Sequence, residues 1–321
     1  YFGSPPDDLE SLHSYNQYYA DIAASIQNVT EEMILCLARA LQRQTGLKNL
    51  CLAGGVALNS VANGRILSET EFDDVYVQPS AGDGGGSIGA ALMGWHGALA
   101  NPGRFLMDHA YWGKSYQPDE ILEAMSNAGA TALEFSDSST LVAETVKRIE
   151  AGKVVGWFQD RFEWGPRALG NRSILADPRR ADMKDIVNTK IKFREPFRPF
   201  APSVLAESAP EYFDTDRIRS SLLTRFMLVV TPVREDKLAI IPATSHLGTA
   251  RLQTVHADTN PLYYELISKF GDATGIPVLL NTSFNLRGEP VVNTPANALN
   301  TFASSGLDTL VMGQFLVDKK S

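Results

Sequence analysis

The first long segment of the chain carries apolar residues at the three- and four-residue spacing of an α-helix. This spacing predicts a helix over residues 14–44, which Gly46 ends. The apolar positions of the predicted helix are Ile22, Ile26, Met33, Leu37 and Leu41.

Two units of strand, glycine turn and helix follow this helix. The predicted elements are a strand at 47–53, a turn at Gly54-Gly55, a helix at 56–67, a strand at 74–78, a glycine-rich turn at 79–86, and a helix at 87–99 with a serine cap. Two consecutive units of this kind predict an α/β layer.

An aperiodic stretch at 101–115, rich in Pro, Gly and aromatic residues, is expected to link two domains, 1–105 and 106–321. The elements predicted beyond it are helices at 118–128, 138–150, 261–274 and 295–304, and strands at 131–134, 154–159, 201–205, 227–233 and 277–280. The fold class predicted for the whole chain is α/β, with mixed strands in the second domain.

Composition limits the classes of partner. The 321 residues suffice for two cores, and a formal net charge of -8 disfavours an extended nucleic-acid or anionic-membrane surface, so any anion site must be local. No apolar run has the length of a membrane span and no leader pattern opens the chain, which favours a cytoplasmic protein. Cys36 and Cys51 lack metal-ligand spacing and are expected to be buried thiols in a reducing compartment.

The two glycine turns are candidates for binding a nucleotide or phosphate. Gly54 and Gly55 lie where a strand turns into a helix, so backbone N–H groups can approach an anion. The second turn adds Asp83, a carboxylate suited to a metal beside phosphates. The alternative is that these are packing glycines and a turn aspartate, because short glycine motifs have low specificity.

The densest chemical signal is a pair of cation-rich segments, 163–173 and 190–202. They place Arg167, Lys192 and Arg198 among prolines and aromatic residues in an otherwise acidic chain. Such a rigid setting favours an anion-binding pocket over a solvated surface, and it suits two phosphorylated substrates that meet. The alternative is a structural salt-bridge network. Arg179 and Arg180, beside acidic residues, are interpreted as exposed charges at a helix start.

Two further segments extend the predicted pocket. Arg251 offers a cation, and the strand that ends in Asn281, Ser283 and Asn285 offers polar groups for phosphate oxygens or a ribose. Ordinary turn chemistry is the alternative for both segments. The five histidines include no pair four residues apart, so the chain has no helical two-histidine metal motif of its own.

These motifs resemble the O-carbamoyltransferases of nodulation-factor and antibiotic biosynthesis. The resemblance covers essentially the whole chain. It is carried by Gly-Gly-Val-Ala-Leu-Asn at 54–59, the Ala-Gly-Asp-Gly loop around Asp83, Gly-Pro-Arg-Ala-Leu-Gly-Asn-Arg-Ser at 165–173, Arg-Glu-Pro-Phe-Arg-Pro-Phe-Ala-Pro at 194–202, and Asn-Thr-Ser-Phe-Asn at 281–285. It implies part of an actin-like (ASKHA) α/β domain at 1–105, followed by a YrdC-like domain with a mixed twisted sheet at 106–321.

The resemblance also implies a two-step reaction and a role for each matching residue. ATP and carbamoyl phosphate would give carbamoyl adenylate, and the carbamoyl group would then pass to a hydroxyl of a sugar, antibiotic or nodulation factor. Carbamoyl phosphate and the nucleotide phosphates would be bound by Arg167, Lys192 and Arg198, and the nucleotide by Arg251, Asn281, Ser283 and Asn285. The adenylate site of the first domain would be lined by Gly54, Gly55 and Asn59, with Asp83 as a metal ligand. The implied cofactors are ATP with Mg²⁺ and an iron-type divalent ion.

Two features depart from the family pattern. Ser245-His246-Leu247 stands where family members usually have His-Val-Asp, and nothing here matches the family's metal-binding histidine pair. The chain also opens with Tyr1 rather than Met. We therefore expect half of the actin-like domain, completed by a missing amino-terminal half or by association into a homo-oligomer. Such a chain would form carbamoyl adenylate without transferring the carbamoyl group by itself.

Two other functions stay open at this point. One is threonylcarbamoyl adenylate chemistry for tRNA, which the acidic balance disfavours. The other is a non-catalytic nucleotide- or RNA-binding module, which the intact set of cations disfavours. No nucleic acid and no membrane are expected as partners.

Overall fold

The computed structural model describes residues 17–195, 197–218 and 221–319. The helices are α1 (Gln17–Thr45), α2 (Ser60–Glu69), α3 (Gly85–Leu92), α4 (Pro118–Asn127), α5 (Ser138–Glu150), α6 (Met183–Ile186), α7 (Ala209–Tyr212), α8 (Leu222–Arg225), α9 (Pro261–Thr274) and α10 (Pro295–Ser304). Short 3₁₀ turns lie at Gly55–Leu58 and Glu235–Lys237, and π-helical turns extend α3 over Met93–Ala98 and α6 over Val187–Lys192. The strands are β1 (Asn49–Leu52), β2 (Asp74–Val77), β3 (Leu133–Glu134), β4 (Val155–Phe158), β5 (Arg172–Ala176), β6 (Ala201–Leu205), β7 (Val230–Pro232), β8 (Thr249–Arg251), β9 (Gln253–Val255), β10 (Val278–Ser283), β11 (Thr309–Met312) and β12 (Phe315–Asp318).

The amino-terminal unit consists of α1 to α3 and a sheet of two parallel strands, β1 and β2. Asn59 is the N-cap of α2, because its side-chain oxygen accepts from the N–H of Ala62 at 3.2 Å and satisfies one first-turn donor. Helix α3 has no buried residue, although it is strongly apolar. The unit therefore leaves apolar surface open to solvent in the described part of the chain.

The larger unit is built on a mixed sheet of eight strands in the order β3-β12-β11-β4-β5-β10-β6-β9. Strand β4 runs parallel to β11, and β6 runs parallel to β9, while the other neighbours are antiparallel. Every residue of β4, β5 and β6 is buried. Helices α5 and α9 pack against one face, and α4 and α10 contribute to the core on the other. These central strands are buried along their whole length because both faces of the sheet are covered.

One buried cluster joins the two units. It contains Phe72 and Val75 of the amino-terminal unit together with Phe213, Leu223 and Val229 of the larger one. The side-chain amide of buried Asn63 in α2 donates to the carbonyls of Ala57 and Leu228, both at 2.9 Å. The domain boundary between 105 and 106 stays a prediction, and hydrophobic packing continues across it.

The fold class predicted from the sequence, α/β with mixed strands, is confirmed. The helices over 138–150, 261–274 and 295–304 have the predicted bounds. The hydrophobic pattern does not predict β5, β8, β9, β11 or β12, which are short and lie beside turns or the cation-rich motif. The predicted start of the first helix, residues 14–16, lies outside the described residues.

Two local predictions are wrong. Cys36 and Cys51 are exposed rather than buried. Helix α3 begins at Gly85 without a side-chain cap, so Ser87 is not its N-cap. The apolar positions of the first helix are largely exposed, with Met33 at 61% and Leu37 at 68%, while Leu35 on another face is fully buried. Helical periodicity locates an apolar face, but it does not tell which partner covers that face.

None of the described helices combines the length and the apolar composition that a membrane crossing requires.

Gly64 allows α2 to approach β7, and we expect Gly64→Ala to destabilise the protein. A Cβ at this position would lie 2.4 Å from the carbonyl oxygen of Val230, so the two units must separate slightly. The expected loss is about 1–3 kcal/mol of unfolding free energy, measured by denaturant titration. The matched control is Gly89→Ala in α3, where a Cβ meets nothing within 4 Å. There the helix propensity of Ala predicts no loss and up to about 1 kcal/mol of gain. Equal effects of the two changes would contradict the close approach.

Candidate functional site

A cavity of about 550 Å³ lies between α2 and the larger unit. It is lined by Ser60, Val61, Arg167, Arg194, Phe197, Arg198, Pro199, Phe200, Ala201, Val230, Thr244, His246, Thr249, Ala250 and Arg251. Four of these residues are arginines and none is acidic. A concave wall with this charge composition can hold a polyanion.

Arg167 and Arg251 are the two cations of this cavity without hydrogen-bond partners. The Nε atom of each is buried and meets no acceptor in the described part of the chain. Burial, together with the positive charges of Arg167 and Arg194, lowers the pKa of Arg251 to about 9. Burial also lowers the pKa of Arg167. Buried cations that repel one another and lack a carboxylate are stabilised when an anion binds between them.

Arg194 adds a third guanidinium, which is held in place. Its Nε donates to Oδ1 of Asn188 at 2.7 Å, and its guanidinium lies 4.8 Å from the ring centre of Phe200. Burial, with the neighbouring charge of Arg198, lowers the pKa of Arg194 to about 10. The residue lines both the large cavity and a second one.

The second cavity, of about 210 Å³, is lined by Lys192, Arg194, Glu195, Arg198, Ser283, Asn285, Leu286, Arg287 and Gly288. Lys192 is 4% exposed, and its ammonium donates to the carbonyl of Ser283, to Oγ of Ser283 at 3.2 Å and to Oδ1 of Asn285 at 2.8 Å. Burial, followed by the charge of Arg194, lowers the pKa of Lys192 to about 7. The ammonium is thus fixed by neutral oxygens, with no carboxylate among its hydrogen-bond partners.

Arg198 is the most exposed of these cations. Its Nε donates to Oε2 of Glu195 at 2.7 Å, and its side chain keeps 51% of its surface exposed. It lines both cavities, as Arg194 does. The two arginines therefore form the boundary that the cavities share.

The loop that carries Arg167 is organised by the carboxylate of Glu163. This side chain is 3% exposed, and its Oε1 accepts from the backbone N–H groups of Leu169, Asn171 and Arg172 at 2.9, 2.8 and 3.0 Å. One buried carboxylate oxygen thus accepts hydrogen bonds from three backbone amides on the far side of the loop. The loop also begins at Gly165, with φ +120°, where a Cβ would lie 2.5 Å from the carbonyl oxygen of Pro79. Only glycine fits this approach.

Asn281 lies in the core beneath the site and does not line either cavity. Its amide donates to the carbonyl of Ala168, to Oγ of Ser203 and to Oε1 of Gln253, at 3.2, 3.1 and 2.9 Å. The side chain fixes the base of the Arg167 loop. Its predicted contact with a nucleotide stays a prediction.

The predicted residues of the amino-terminal unit, Gly54, Gly55, Asn59 and Asp83, do not line either cavity. The two glycine turns contact each other, because the N–H of Gly54 donates to the carbonyl of Ala81 at 2.8 Å. Asn59 caps α2, and Asp83 is exposed. Within the ranges that the structure describes, no three His, Cys, Asp or Glu side chains are grouped to hold a metal ion. Asp83 and its described neighbours therefore do not form a complete site for an iron-type ion.

Sequence reasoning does not identify three residues of this site. Arg194 stands in the cation-rich motif, but the sequence gives no means of ranking it above its neighbours. Glu163 is one acid beside many cations, and its role depends on a loop that returns to it. Ser60 follows the glycine motif, and it reaches the large cavity only because α2 packs against β7.

Comparisons with known proteins agree with these motifs. Residues 146–319 match the family described as carbamoyltransferase C-terminus, and residues 5–92 match the family described as carbamoyltransferase N-terminus. The first match includes Arg167, Lys192, Arg198 and Arg251, and the second includes both glycine turns.

Named relatives extend the similarity. The chain is 44% identical to nodulation protein NolO of Bradyrhizobium diazoefficiens over 95% of this chain and 56% of the relative. It is 43% identical to nodulation protein NolNO of Sinorhizobium fredii over 96% of this chain and 45% of the relative. An uncharacterised protein of Synechocystis sp. is 44% identical over 99% of this chain and 55% of its own length. The chain spans about half the length of these curated relatives, and it belongs to the carbamoyltransferase family.

Proposed function

We propose that this chain forms carbamoyl adenylate from ATP and carbamoyl phosphate, as part of an O-carbamoyltransferase. The observation that carries the proposal is the pair of half-buried arginines, Arg167 and Arg251, whose buried Nε atoms have no acceptor, in a cavity lined by no acidic residue. Such a site is incomplete without an anion. Family membership supplies the carbamoyl chemistry.

The two adjoining cavities suit two phosphorylated substrates. The larger, with four arginines and the rings of Phe197 and Phe200, has the size and the apolar wall that a nucleotide needs. The smaller, with Lys192, Ser283 and Asn285, suits carbamoyl phosphate. Arg194 and Arg198 lie between them and would neutralise phosphates of both substrates. Charge neutralisation and positioning provide most of the catalysis in phosphoryl and nucleotidyl transfer.

The proposed chemistry proceeds by one hydrolysis and one displacement. Water cleaves carbamoyl phosphate into carbamate and inorganic phosphate. A carbamate oxygen then attacks the α-phosphorus of ATP, the bond between the α-phosphorus and the bridging oxygen breaks, and pyrophosphate leaves. In the completed protein, an acceptor hydroxyl would attack the carbamoyl carbon and release AMP, with the hydroxyl proton passing to a base or to solvent. The guanidiniums would stabilise the negative charge that builds on the phosphate oxygens.

The chain provides for Mg²⁺ and for the iron-type ion in different ways. Mg²⁺ would enter with ATP and bind mainly through phosphate oxygens and water, because no lining residue of the large cavity is a carboxylate. The iron-type ion would need ligands beyond Asp83, since the described residues do not group a metal site. No step of the adenylate-forming half-reaction depends on it.

Transfer to a hydroxyl would require more protein than this chain contains. The relatives are about twice its length, and strands β1 and β2 form a two-stranded parallel sheet, although parallel sheets are normally covered and extended. The exposed side chains of Met33 and Leu37 in α1, and of Met93 beside α3, add apolar surface. A further half of an actin-like domain, or a second copy of the chain, would cover this surface. The relatives' names suggest a nodulation-factor-like hydroxyl as one class of acceptor.

The adenylate-forming reaction predicts pyrophosphate release that requires both substrates. With ATP, Mg²⁺ and carbamoyl phosphate, wild-type protein should release pyrophosphate, and omission of carbamoyl phosphate should abolish the release. Arg167→Ala should lower the rate about 10²- to 10³-fold, as expected when a donor to a developing charge is removed. The control is Arg180→Ala, whose exposed guanidinium pairs with Asp182 outside the cavities. Wild-type activity in Arg167→Ala would contradict the assigned site.

The depressed pKa of Lys192 predicts that anion binding weakens as pH rises. The ammonium is charged below its pKa of about 7 and loses its proton above it, so the empty site must take up a proton to bind an anion at higher pH. Affinity for carbamoyl phosphate should fall up to about tenfold per pH unit above 7. Calorimetry between pH 6 and 8.5, in buffers of different ionisation enthalpy, measures both affinity and proton uptake.

Two variants isolate this lysine. Lys192→Met should bind weakly at every pH and show no proton uptake from this position. Lys190→Met, two residues earlier and exposed, should keep the wild-type profile. A profile of Lys192→Met that still falls like that of the wild type would assign the pH dependence to another group.

The last test separates a ligand site from a structural salt-bridge network. Because the buried Nε of Arg251 has no acceptor and the side chain faces other cations, Arg251→Met should raise the unfolding free energy by about 1 kcal/mol in anion-free buffer and weaken ATP binding. Arg148→Met is the contrast, since Arg148 donates to both carboxylate oxygens of Asp318 at 2.9 and 2.7 Å. Its replacement should cost about 1–2 kcal/mol and leave ATP binding unchanged. Denaturant titration and calorimetry give both quantities, and destabilisation by both changes would favour the network.

A further inference from the structure

We infer that Ser60 of the amino-terminal unit binds a phosphate oxygen of the substrate in the large cavity, so that the arginine site is composite. The inference rests on the proposed function, which assigns this cavity to a phosphorylated substrate. Ser60 is 9% exposed and lines the cavity beside the arginines. Its hydroxyl makes no hydrogen bond to any residue that the structure describes. The residue as a whole is nine-tenths buried, but its hydroxyl is not among the fully buried atoms that lack a partner, so the oxygen reaches the cavity and can donate to a ligand there.

The surroundings of Ser60 favour an anion as that partner. Ser60 is the first residue of α2, a helix of ten residues, and the side chain of Asn59 already accepts from the N–H of Ala62. The N–H groups of Ser60 and Val61 are left without an acceptor within the helix. First-turn amides and the positive end of the helix dipole favour a phosphate group. The nearby Nε atoms of Arg167 and Arg251 also lack acceptors.

The position of Ser60 is fixed by the contact between the two units. Helix α2 approaches β7 at Gly64, where a Cβ would meet the carbonyl oxygen of Val230 at 2.4 Å. The amide of Asn63 donates to the carbonyl of Leu228 just before β7. Strand β8, which carries Arg251, pairs with β7 through Val230. These contacts fix the position of Ser60 relative to Arg251. The two residues belong to different units and can bind the same ligand group.

A composite site has a functional consequence. The larger unit alone would retain the guanidiniums but lose the hydroxyl and the first-turn amides of α2. Nucleotide binding would then depend on the amino-terminal unit being docked. Binding of phosphate in the cavity would thus be coupled to the docking of the amino-terminal unit, which carries the glycine turns.

The experiment is calorimetric titration of the whole chain with Mg²⁺-ATP and, separately, with carbamoyl phosphate. Ser60→Ala removes only the hydroxyl and should weaken the substrate that binds here about tenfold or more, the value expected for a hydrogen bond to a charged group. Ser60→Asp places a carboxylate against the phosphate and should weaken binding at least a hundredfold. The matched control is Ser138→Asp, because Ser138 is also the first residue of a helix but is exposed and far from the lining residues.

The outcomes separate this inference from the function it rests on. Loss of binding in Ser60→Ala and Ser60→Asp, with wild-type thermal unfolding and an unaffected Ser138→Asp, supports the composite site. Wild-type affinity in Ser60→Ala and Ser60→Asp, together with weakened binding in Arg251→Met, overturns the role of Ser60 and leaves the proposed function standing. If wild-type protein binds neither substrate at millimolar concentration, both the role of Ser60 and the proposed function are rejected.

Discussion

The site depends on the burial of positive charge without a neutralising carboxylate. Arg167 and Arg251 would be stabilised by a nearby Asp or Glu, yet the cavity that they line contains neither. Several other described arginines are paired with carboxylates, as Arg148 is with Asp318. The buried acid closest to the Arg167 loop, Glu163, is instead occupied by three backbone amides. The fold thus uses acidic groups to shape the loop and leaves the guanidiniums for an external anion, at a cost in stability of the empty protein.

That arrangement requires a rigid support, and the contact between the two units provides part of it. At Gly64 and Gly165 backbone meets backbone too closely for a side chain, and both contacts join the amino-terminal unit to the larger one. The first positions α2 against the strand that pairs with β8, and the second sets the start of the Arg167 loop against Pro79. Two of the three segments that carry the four arginines are therefore positioned by residues that lie far away in the sequence. A cavity at such a junction responds to any change in how the units pack.

The sequence predicts the parts of this site better than their grouping. Its cation-rich motifs predict Arg167, Lys192 and Arg198, because clustered cations in a Pro-rich setting are visible without a structure, and all three line the cavities. It does not show that Lys192 faces a smaller cavity than Arg167 does, or that Asn281 lies beneath the loop, since both depend on how β10 crosses the sheet. Ser60 and Glu163 are missed for the same reason. Ser60 reaches the cavity through the packing of α2 against β7, and Glu163 acts through a loop that returns to it. Hydrophobic periodicity carries no information on such tertiary packing. Helix α1 shows the opposite situation. Its apolar periodicity predicts a helix, but nothing in the described residues covers its apolar face.

The distribution of open surface suggests how the chemistry divides. The larger unit has a sheet with a wholly buried centre, two cavities and a complete set of cations, so the groups proposed to form an adenylate are all present. In its described residues, the amino-terminal unit has two paired strands, an apolar helix with no buried residue, and an exposed carboxylate in its second glycine turn. Under the proposed function, adenylate formation is the half-reaction whose groups lie within the described residues. We propose that transfer to a hydroxyl uses further groups, carried by the protein that covers α1 and α3. If Ser60 binds phosphate as inferred, that covering also bears on the first half-reaction, because anything that shifts α2 shifts one wall of the arginine cavity.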